Sequence, residues 1–176
     1  MDKQKLKQHL LTDRTKLFCV LDGAAVPDLP MRLYETRPPN YCLFSGELEP
    51  DIAYAAPYVV NLLPNHKFTD WILDESFGKN RGIFVHCRYS IKEMRKHFRS
   101  LVDVYDEAGN PMIFRFYDPR VLRRFLPTCT TAELKIFFGK VEVYFAEAES
   151  GENLLSFQFD DEKLKETKLD LAGSNQ

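Results

Sequence analysis

The sequence is poor in cysteine and lacks the cysteine pairs on which disulfide frameworks and zinc knuckles depend. Its 176 residues include four cysteines, which are widely spaced and form no C-x-x-C pair. Most of them lie inside apolar, strand-like runs, where a free thiol behaves as a small hydrophobic side chain. We therefore expect buried, free thiols in a reducing compartment, at Cys19, Cys42, Cys87 and Cys129.

Long apolar runs and a strong net charge are also absent. No apolar run approaches the length that spans a bilayer, and the lysine-rich segment after Met1 contains no signal-peptide hydrophobic region. The formal net charge is −2, so no long-range field singles out nucleic acid or an anionic membrane as a partner. We expect a cytoplasmic protein with no membrane partner and no nucleic-acid partner.

The motifs that build catalytic or cofactor sites are missing as well. The sequence contains no G-x-G-x-x-G, Walker A, H-E-x-x-H, G-x-S-x-G or EF-hand pattern. Its four histidines show no i, i+4 pairing, the spacing that places two metal ligands on one helix face. We therefore expect no enzymatic activity, no cofactor and no metal site.

Cys87 is the one residue whose neighbours resemble an active site. It is followed by Arg88 and Arg95, as in phosphatases that use a low-pKa cysteine in a phosphate-binding loop. Its sixth following residue is Glu93, where those enzymes have an arginine, and the loop has no glycine. A core cysteine at the end of a strand is the simpler interpretation. A cysteine-dependent hydrolase or phosphatase centred on Cys87 is the alternative.

Aromatic residues, by contrast, are plentiful, with fourteen Phe, eight Tyr and one Trp. At this length we expect one domain that buries a core without metal or disulfide help. Alternating strand and helix patterns predict an α/β fold: a mixed β-sheet with helices packed on it, in a single compact domain with a charged C-terminal tail. The predicted boundaries are an N-terminal helix over 1–16, the α/β domain over 17–146, and a C-terminal strand and charged tail over 147–176.

Periodicity and turn residues locate most of the elements. Apolar or alternating runs predict strands at 17–21, 41–44, 58–63, 83–87, 102–105, 112–117, 141–146 and 154–159. Capping boxes that begin at Ser90 and Thr130 each predict the start of a helix. Segment 50–57 looks irregular, and the acidic, lysine-rich stretch from Asp160 predicts either a solvated helix or disorder.

The stretch 112–127 is the one around which the chain is organised. Its alternating residues predict a strand over 112–117 that leads directly into a helix, with Asp118 at the N-cap and Pro119 at the first helical position. Three arginines follow, and we expect them to form ion pairs with nearby carboxylates while their aliphatic stems cover the core edge. The alternative is a nucleic-acid-binding module through this face, formed by Arg120, Arg123 and Arg124.

The run FRFYDPRVLRRFLP at 114–127 resembles the signature of a bacterial family, domain of unknown function 4123. Further pieces resemble it in the same order, at 21–24 (LDGA), 42–46 (CLFSG), 56–60 (APYVV), 82–85 (GIFV), 90–101 (SIKEMRKHFRSL) and 137–141 (FFGKV). Family members resemble adaptor chaperones of the type VI secretion system. Such adaptors hold a toxic effector in the cytoplasm and load it onto the valine–glycine-repeat spike protein.

The resemblance implies a non-enzymatic adaptor in a bacterial cytoplasm, whose partners are an effector toxin and the spike protein. Two features depart from the family pattern. Arg81 stands where an aromatic residue is frequent, and the strand and charged tail after 147 stand where many members have a helical lobe. On this interpretation one group of motif residues is structural, namely Asp22, Arg115, Asp118 and Pro119.

Two groups of residues are candidates for partner contact. The first consists of the three arginines Arg120, Arg123 and Arg124. The second lies on the last predicted strand, where alternation places Leu155, Phe157 and Phe159 on one face. As the last strand, it is expected at a sheet edge that a segment of the effector extends. In the alternative, the protein's own tail over 162–171 folds back and covers that edge.

Overall fold

The computed structural model describes residues 2–172, which fold around a seven-stranded sheet. In chain order the strands are β1 (Lys16–Asp22), β2 (Asn40–Cys42), β3 (Pro57–Leu62), β4 (Gly82–Cys87), β5 (Asp103–Tyr105), β6 (Pro111–Ile113), β7 (Val143–Glu147), β8 (Asn153–Asp160) and β9 (Lys163–Asp170). The sheet order is β2-β3-β1-β4-β7-β8-β9, and every neighbouring pair is antiparallel. Strands β5 and β6 form a separate hairpin.

In the part of the chain that the structure describes, seven α-helices surround the sheet. They are α1 (Lys3–Leu10), α2 (Leu29–Thr36), α3 (Pro50–Ala55), α4 (Lys67–Glu75), α5 (Ile91–Val102), α6 (Pro119–Phe125) and α7 (Thr131–Phe138). Helices α1, α2 and α4 pack on one face of the sheet, and α5, α6 and α7 pack on the other. This arrangement confirms the predicted α/β class, with helices packed on a sheet in one compact domain. The sheet is antiparallel throughout and not mixed as predicted. Within residues 2–172, no helix is long and apolar enough to cross a membrane.

The alternating strands therefore build two separate cores. The core under α1, α2 and α4 is dominated by leucines, and we call this side the leucine face. Among residues 2–172, the core under α5, α6 and α7 contains eight buried aromatic side chains, against three in the other core, and we call this side the aromatic face; its fully buried side chains include Phe18, Phe98, Phe116, Tyr144 and Phe157. Because successive side chains of a strand point to opposite faces, neighbouring positions of one strand serve different cores.

The predicted helix starts are confirmed by their caps. The Ser90 side chain accepts a hydrogen bond from the Glu93 N–H at the start of α5, and the Glu93 carboxylate accepts one from the Ser90 N–H (3.0 Å). Thr130 and Glu133 form the same reciprocal pair at the start of α7. Each box satisfies donors that a helix N-terminus otherwise leaves without partners.

Two predicted segments differ from the structure. The segment over 50–57 is not irregular: it contains the short helix α3, which begins with Pro50 at its first turn and carries Asp51 there. The predicted strand 112–117 ends at Ile113, and residues 114–118 form a loop. Phe116 and Tyr117 are both buried although they are consecutive, so this loop does not alternate as a strand would.

The predicted helical or disordered tail is the largest error, because it forms strand β9. This strand pairs with β8 over its whole length, from Asn153 opposite Asp170 to Asp160 opposite Lys163. Leu164 packs on the aromatic face and Leu169 on the leucine face, as an odd spacing in a strand requires. The protein's own tail therefore covers the edge of β8, which was the alternative drawn from the sequence.

The four cysteines are free. Cys19 and Cys87 are buried as predicted, whereas Cys42 and Cys129 are half-buried. The expectation of buried thiols therefore holds for two positions and is wrong for the other two.

Candidate functional site

The charged residues of the stretch 112–127 lie at one end of the sheet. Strand β1 ends there at Asp22 and β7 ends there at Glu147, while β4, which lies between them, begins there at Gly82. Antiparallel neighbours alternate in direction, so these three strand ends lie side by side. The loop before α6 brings Arg115 and Asp118 to the same end.

The buried carboxylate of Asp22 forms an ion pair with the exposed Arg115, which is distant in sequence. One oxygen of its carboxylate accepts a hydrogen bond from the Arg115 guanidinium, and the other accepts the Ala24 N–H at 3.1 Å. The hydrogen bond to Asp22 raises the pKa of Arg115, and burial together with Asp22 raises the pKa of Tyr117 to about 12. A Cβ on Gly23 would overlap the Ala56 carbonyl oxygen, so the turn after Asp22 requires glycine.

Asp118 forms the predicted cap and also holds an arginine. Its Oδ1 accepts the Arg120 N–H at 2.9 Å, and the Arg120 side chain donates from Nε to Oδ1 (3.0 Å) and from Nη2 to Oδ2 (2.6 Å). Burial acts to raise the pKa of Asp118, but the hydrogen bonds from Arg120 outweigh it and the pKa lies below its ordinary value. Pro119 is buried at the first helical position.

The remaining two arginines extend this end of the sheet into a cleft. The Arg123 guanidinium donates a hydrogen bond to the Glu147 carbonyl oxygen, and Arg124 is exposed. Together with Asp118, Arg120 and Glu149 they line a cleft of ≈ 670 Å³, which we call the arginine cleft. The structure thus brings the three candidate arginines together on one surface.

Glu147 is a buried carboxyl group that the sequence analysis missed. It closes the apolar strand β7, and its Oε1 accepts the Asn80 N–H. Burial raises its pKa to about 7, against the N–H groups of Asn80 and Gly78 and the charge of Arg123. The signal available in the sequence was a single glutamate at the end of the otherwise apolar run VYFAE.

Cys87 has surroundings that oppose nucleophilic chemistry. The residue is buried, and burial raises the pKa of its thiol to about 11. Its Sγ lies 3.9 Å from the Tyr89 carbonyl oxygen, a group that cannot accept a proton as a catalytic base does. The thiolate that a cysteine nucleophile needs is therefore disfavoured here. Among residues 2–172, no three His, Cys, Asp or Glu side chains are grouped to hold a metal ion.

The predicted partner-binding strand is not available to a partner, which corrects that prediction. Leu155 and Phe157 are buried in the core of the aromatic face, and Phe159 is half-buried against it. Strand β9 pairs along β8 and removes the edge on which the prediction depended. The alternation itself was right, since all three side chains lie on one face.

An exposed apolar groove on the aromatic face was not predicted. It lies between α5, the loop before α6, the end of α6 and α7, with a volume of ≈ 220 Å³, and we call it the helical groove. Ser100 and Glu133 also line it, and its apolar lining consists of Leu101, Val104, Phe114, Phe125, Ile136 and Phe137. These residues lie far apart in sequence, so no local pattern marked them as one surface.

The family model described as "Domain of unknown function (DUF4123)" matches residues 17–135, which is most of the chain. No curated protein and no solved structure matches the chain. The match begins at the start of β1 and extends into α7, so it includes both members of the Asp22–Arg115 and Asp118–Arg120 pairs. The chain belongs to the DUF4123 family.

Proposed function

We propose that this protein is a non-enzymatic adaptor chaperone of a type VI secretion system. It binds an effector toxin in the bacterial cytoplasm and helps to load that effector onto the valine–glycine-repeat spike protein. The resemblance of the family to such adaptors suggests the system, and the helical groove is the observation in this molecule that carries the proposal.

The helical groove has the chemistry of a protein-binding surface. Its most exposed apolar side chain is Ile136, with 71 % of its surface accessible, and Met112 beside the groove's Val104 is 50 % accessible. Val104 and Met112 are cross-strand partners in the β5–β6 hairpin, so both side chains lie on the same face of it. Clustered apolar surface of this kind, with polar groups at its border, marks sites of protein association.

The groove also offers the aromatic anchors on which binding energy depends. Phe125 stacks edge-to-face on Phe114 with ring centroids 4.7 Å apart and lies 5.5 Å from the Phe137 ring. The floor is therefore held in place before any partner arrives, and little side-chain entropy remains to be lost on binding. An apolar helix or strand of the effector suits such a groove.

The test combines an interface substitution with a matched control. Ile136→Lys places a charge in the groove, whereas Met31→Lys makes a comparable change at an exposed position of α2 on the leucine face, where 61 % of the side chain is accessible. In the native bacterium, the effector encoded beside a spike gene is co-purified with the tagged protein, and its secretion is measured.

We expect Ile136→Lys to reduce effector recovery and secretion by about tenfold or more, because a buried unpaired charge in an interface costs several kcal/mol. Met31→Lys is expected to leave both unchanged. Equal effector recovery and secretion with the wild type and Ile136→Lys, when both proteins melt at the same temperature, would contradict the proposal.

A further inference from the structure

The lining of the arginine cleft holds more positively than negatively charged side chains. This lining contains three guanidinium groups and two carboxylates, those of Asp118 and Glu149. The Asp118 carboxylate already forms an ion pair with Arg120. Among the ion pairs of residues 2–172, none includes Arg123 or Arg124. The cleft is therefore locally positive although the chain as a whole is not.

The Arg123 side chain is held in place by a hydrogen bond to the backbone. One of its N–H groups donates to the Glu147 carbonyl oxygen, at the end of a buried strand. A guanidinium has five N–H donors in a rigid plane, so this contact fixes the group and leaves other donors available for a ligand. A carboxylate matches that planar fork with two parallel hydrogen bonds.

The arginine cleft and the helical groove adjoin each other on one helix. Arg124 lines the cleft and the next residue, Phe125, lines the groove. Consecutive residues of a helix point about 100° apart, so a segment that crosses the end of α6 passes from one surface to the other. A partner that occupies both must be apolar where it meets the groove and negatively charged where it meets the cleft.

We propose that the arginine cleft binds an acidic segment of the protein partner, adjoining the apolar segment that occupies the helical groove. The inference rests on the proposed function, because it names the chemistry of the same partner. A nucleic acid fits less well, because its backbone needs a basic stripe along many phosphates and the basic surface here is confined to one cleft.

The experiment uses two fluorescein-labelled synthetic peptides that share a leucine- and phenylalanine-rich half. In one peptide a run of glutamates follows this half, and in the other a run of glutamines follows it. Binding to the full chain is measured by fluorescence anisotropy. The variants are Arg124→Gln, which alters an exposed side chain, the double variant with Arg123→Gln, and the control Arg14→Gln in the exposed loop after α1.

We expect the glutamate peptide to bind more tightly than the glutamine peptide, with a preference that added salt weakens. Arg124→Gln should weaken the glutamate peptide by about fivefold and the double variant by more, whereas Arg14→Gln should change nothing. Equal affinity for the two peptides, or equal loss in Arg14→Gln, would overturn the inference. So would a DNA duplex that binds the wild type more tightly than the glutamate peptide and loses affinity in Arg124→Gln.

The outcomes also separate this inference from the proposed function. If Ile136→Lys leaves effector secretion intact while Arg124→Gln still weakens the glutamate peptide, the adaptor proposal fails and the acidic specificity of the cleft stands. If effector secretion depends on Ile136 but the arginine variants bind both peptides like the wild type, the adaptor stands and the cleft proposal fails.

Discussion

The two faces of the sheet bury similar numbers of apolar residues by different means. On the leucine face, branched aliphatic side chains from α1, α2 and α4 meet the sheet, and Leu171 after β9 adds to the same core. On the aromatic face, rings contact rings: Phe116 alone has four aromatic neighbours within 6.3 Å. Aliphatic side chains adapt to fill gaps, whereas rings are large and rigid.

This difference accounts for where the groove lies. The ring cluster on the aromatic face continues to the surface through Phe114 and Phe125, which are half-buried. It therefore presents fixed aromatic walls to the outside. The leucine face also has an apolar opening, of ≈ 350 Å³, but no aromatic ring lines it. Under the proposed function, the face with the surplus of aromatic side chains is the one that receives the effector.

The largest effect is expected from substitutions that test whether contacts between rings stabilise the fold beyond the burial of each ring. Phe116 and Phe68 are both fully buried, but Phe116 touches four rings and Phe68 only Trp71 among the aromatic pairs of residues 2–172. We expect Phe116→Ala to lower the free energy of unfolding by about 5 kcal/mol and Phe68→Ala by about 3–4 kcal/mol. Urea denaturation measures both. Equal losses would mean that the two faces differ in composition but not in energetics.

A smaller effect concerns the buried carboxyl group on the leucine face. Because the folded-state pKa of Glu147 is raised to about 7, its contribution to stability is fully present at low pH and is lost as the pH rises through that value. Glu147→Gln keeps an acceptor for the Asn80 N–H but carries no charge. The variant should therefore be more stable than the wild type by about 3 kcal/mol at pH 8 and should lose most of this advantage at pH 4, below the ordinary pKa of a glutamate. Melting curves at both pH values decide; a pH-independent difference would contradict the burial of a charge.

A still smaller effect tests the cap that begins α6. Asp118→Ala removes the acceptor of the Arg120 N–H and should lower the free energy of unfolding by about 1 kcal/mol. Asp28, at the N-cap of α2, makes no side-chain capping bond, so Asp28→Ala is the matched control and should be neutral. If thermal melting is unchanged in Asp118→Ala but effector recovery is abolished, Asp118 is a contact residue rather than a cap.

The smallest expected effect concerns stability at the two exposed positions used to test the adaptor. Ile136→Lys and Met31→Lys should each change the free energy of unfolding by less than about 0.5 kcal/mol, because both side chains are largely accessible. A strong destabilisation by Ile136→Lys alone would show that the groove is part of the core rather than a docking surface.

Local patterns were sufficient for most elements of the fold. The caps at Ser90, Thr130 and Asp118 are short-range devices, and each is present in the structure. The buried strands were found because apolar runs have few alternative explanations. Errors arose where tertiary context decides the structure, as for α3. The segment 50–57 that contains it begins and ends with proline, which suggested irregular chain.

Strand β9 shows why the tail was mispredicted. Its sequence KLKETKLD is charged, as edge strands often are, because charge prevents pairing with other chains. Charge also lowers every signal by which a strand is recognised from sequence. The clue was the spacing between Leu164 and Leu169, which suits the two faces of a strand better than one face of a helix.

The candidate site was predicted only as far as its contacts are local. Asp118 and Arg120 are two residues apart, so their pairing was open to inference. The Asp22–Arg115 pair joins residues 93 positions apart, and the burial of Glu147 depends on elements from the whole chain. The helical groove likewise exists only once α5, α6 and α7 have packed.

The position of β1 in the sheet has a consequence for synthesis of the chain on the ribosome. Six of its seven residues are buried, and both of its partners, β3 and β4, come later in the sequence. At a translation rate of about 5–20 residues per second, this apolar strand waits for several seconds before its neighbours emerge. During that interval its apolar side chains are exposed and can bind a general folding chaperone. We therefore expect this protein, which we propose to be a chaperone, to bind a chaperone itself while it is synthesised.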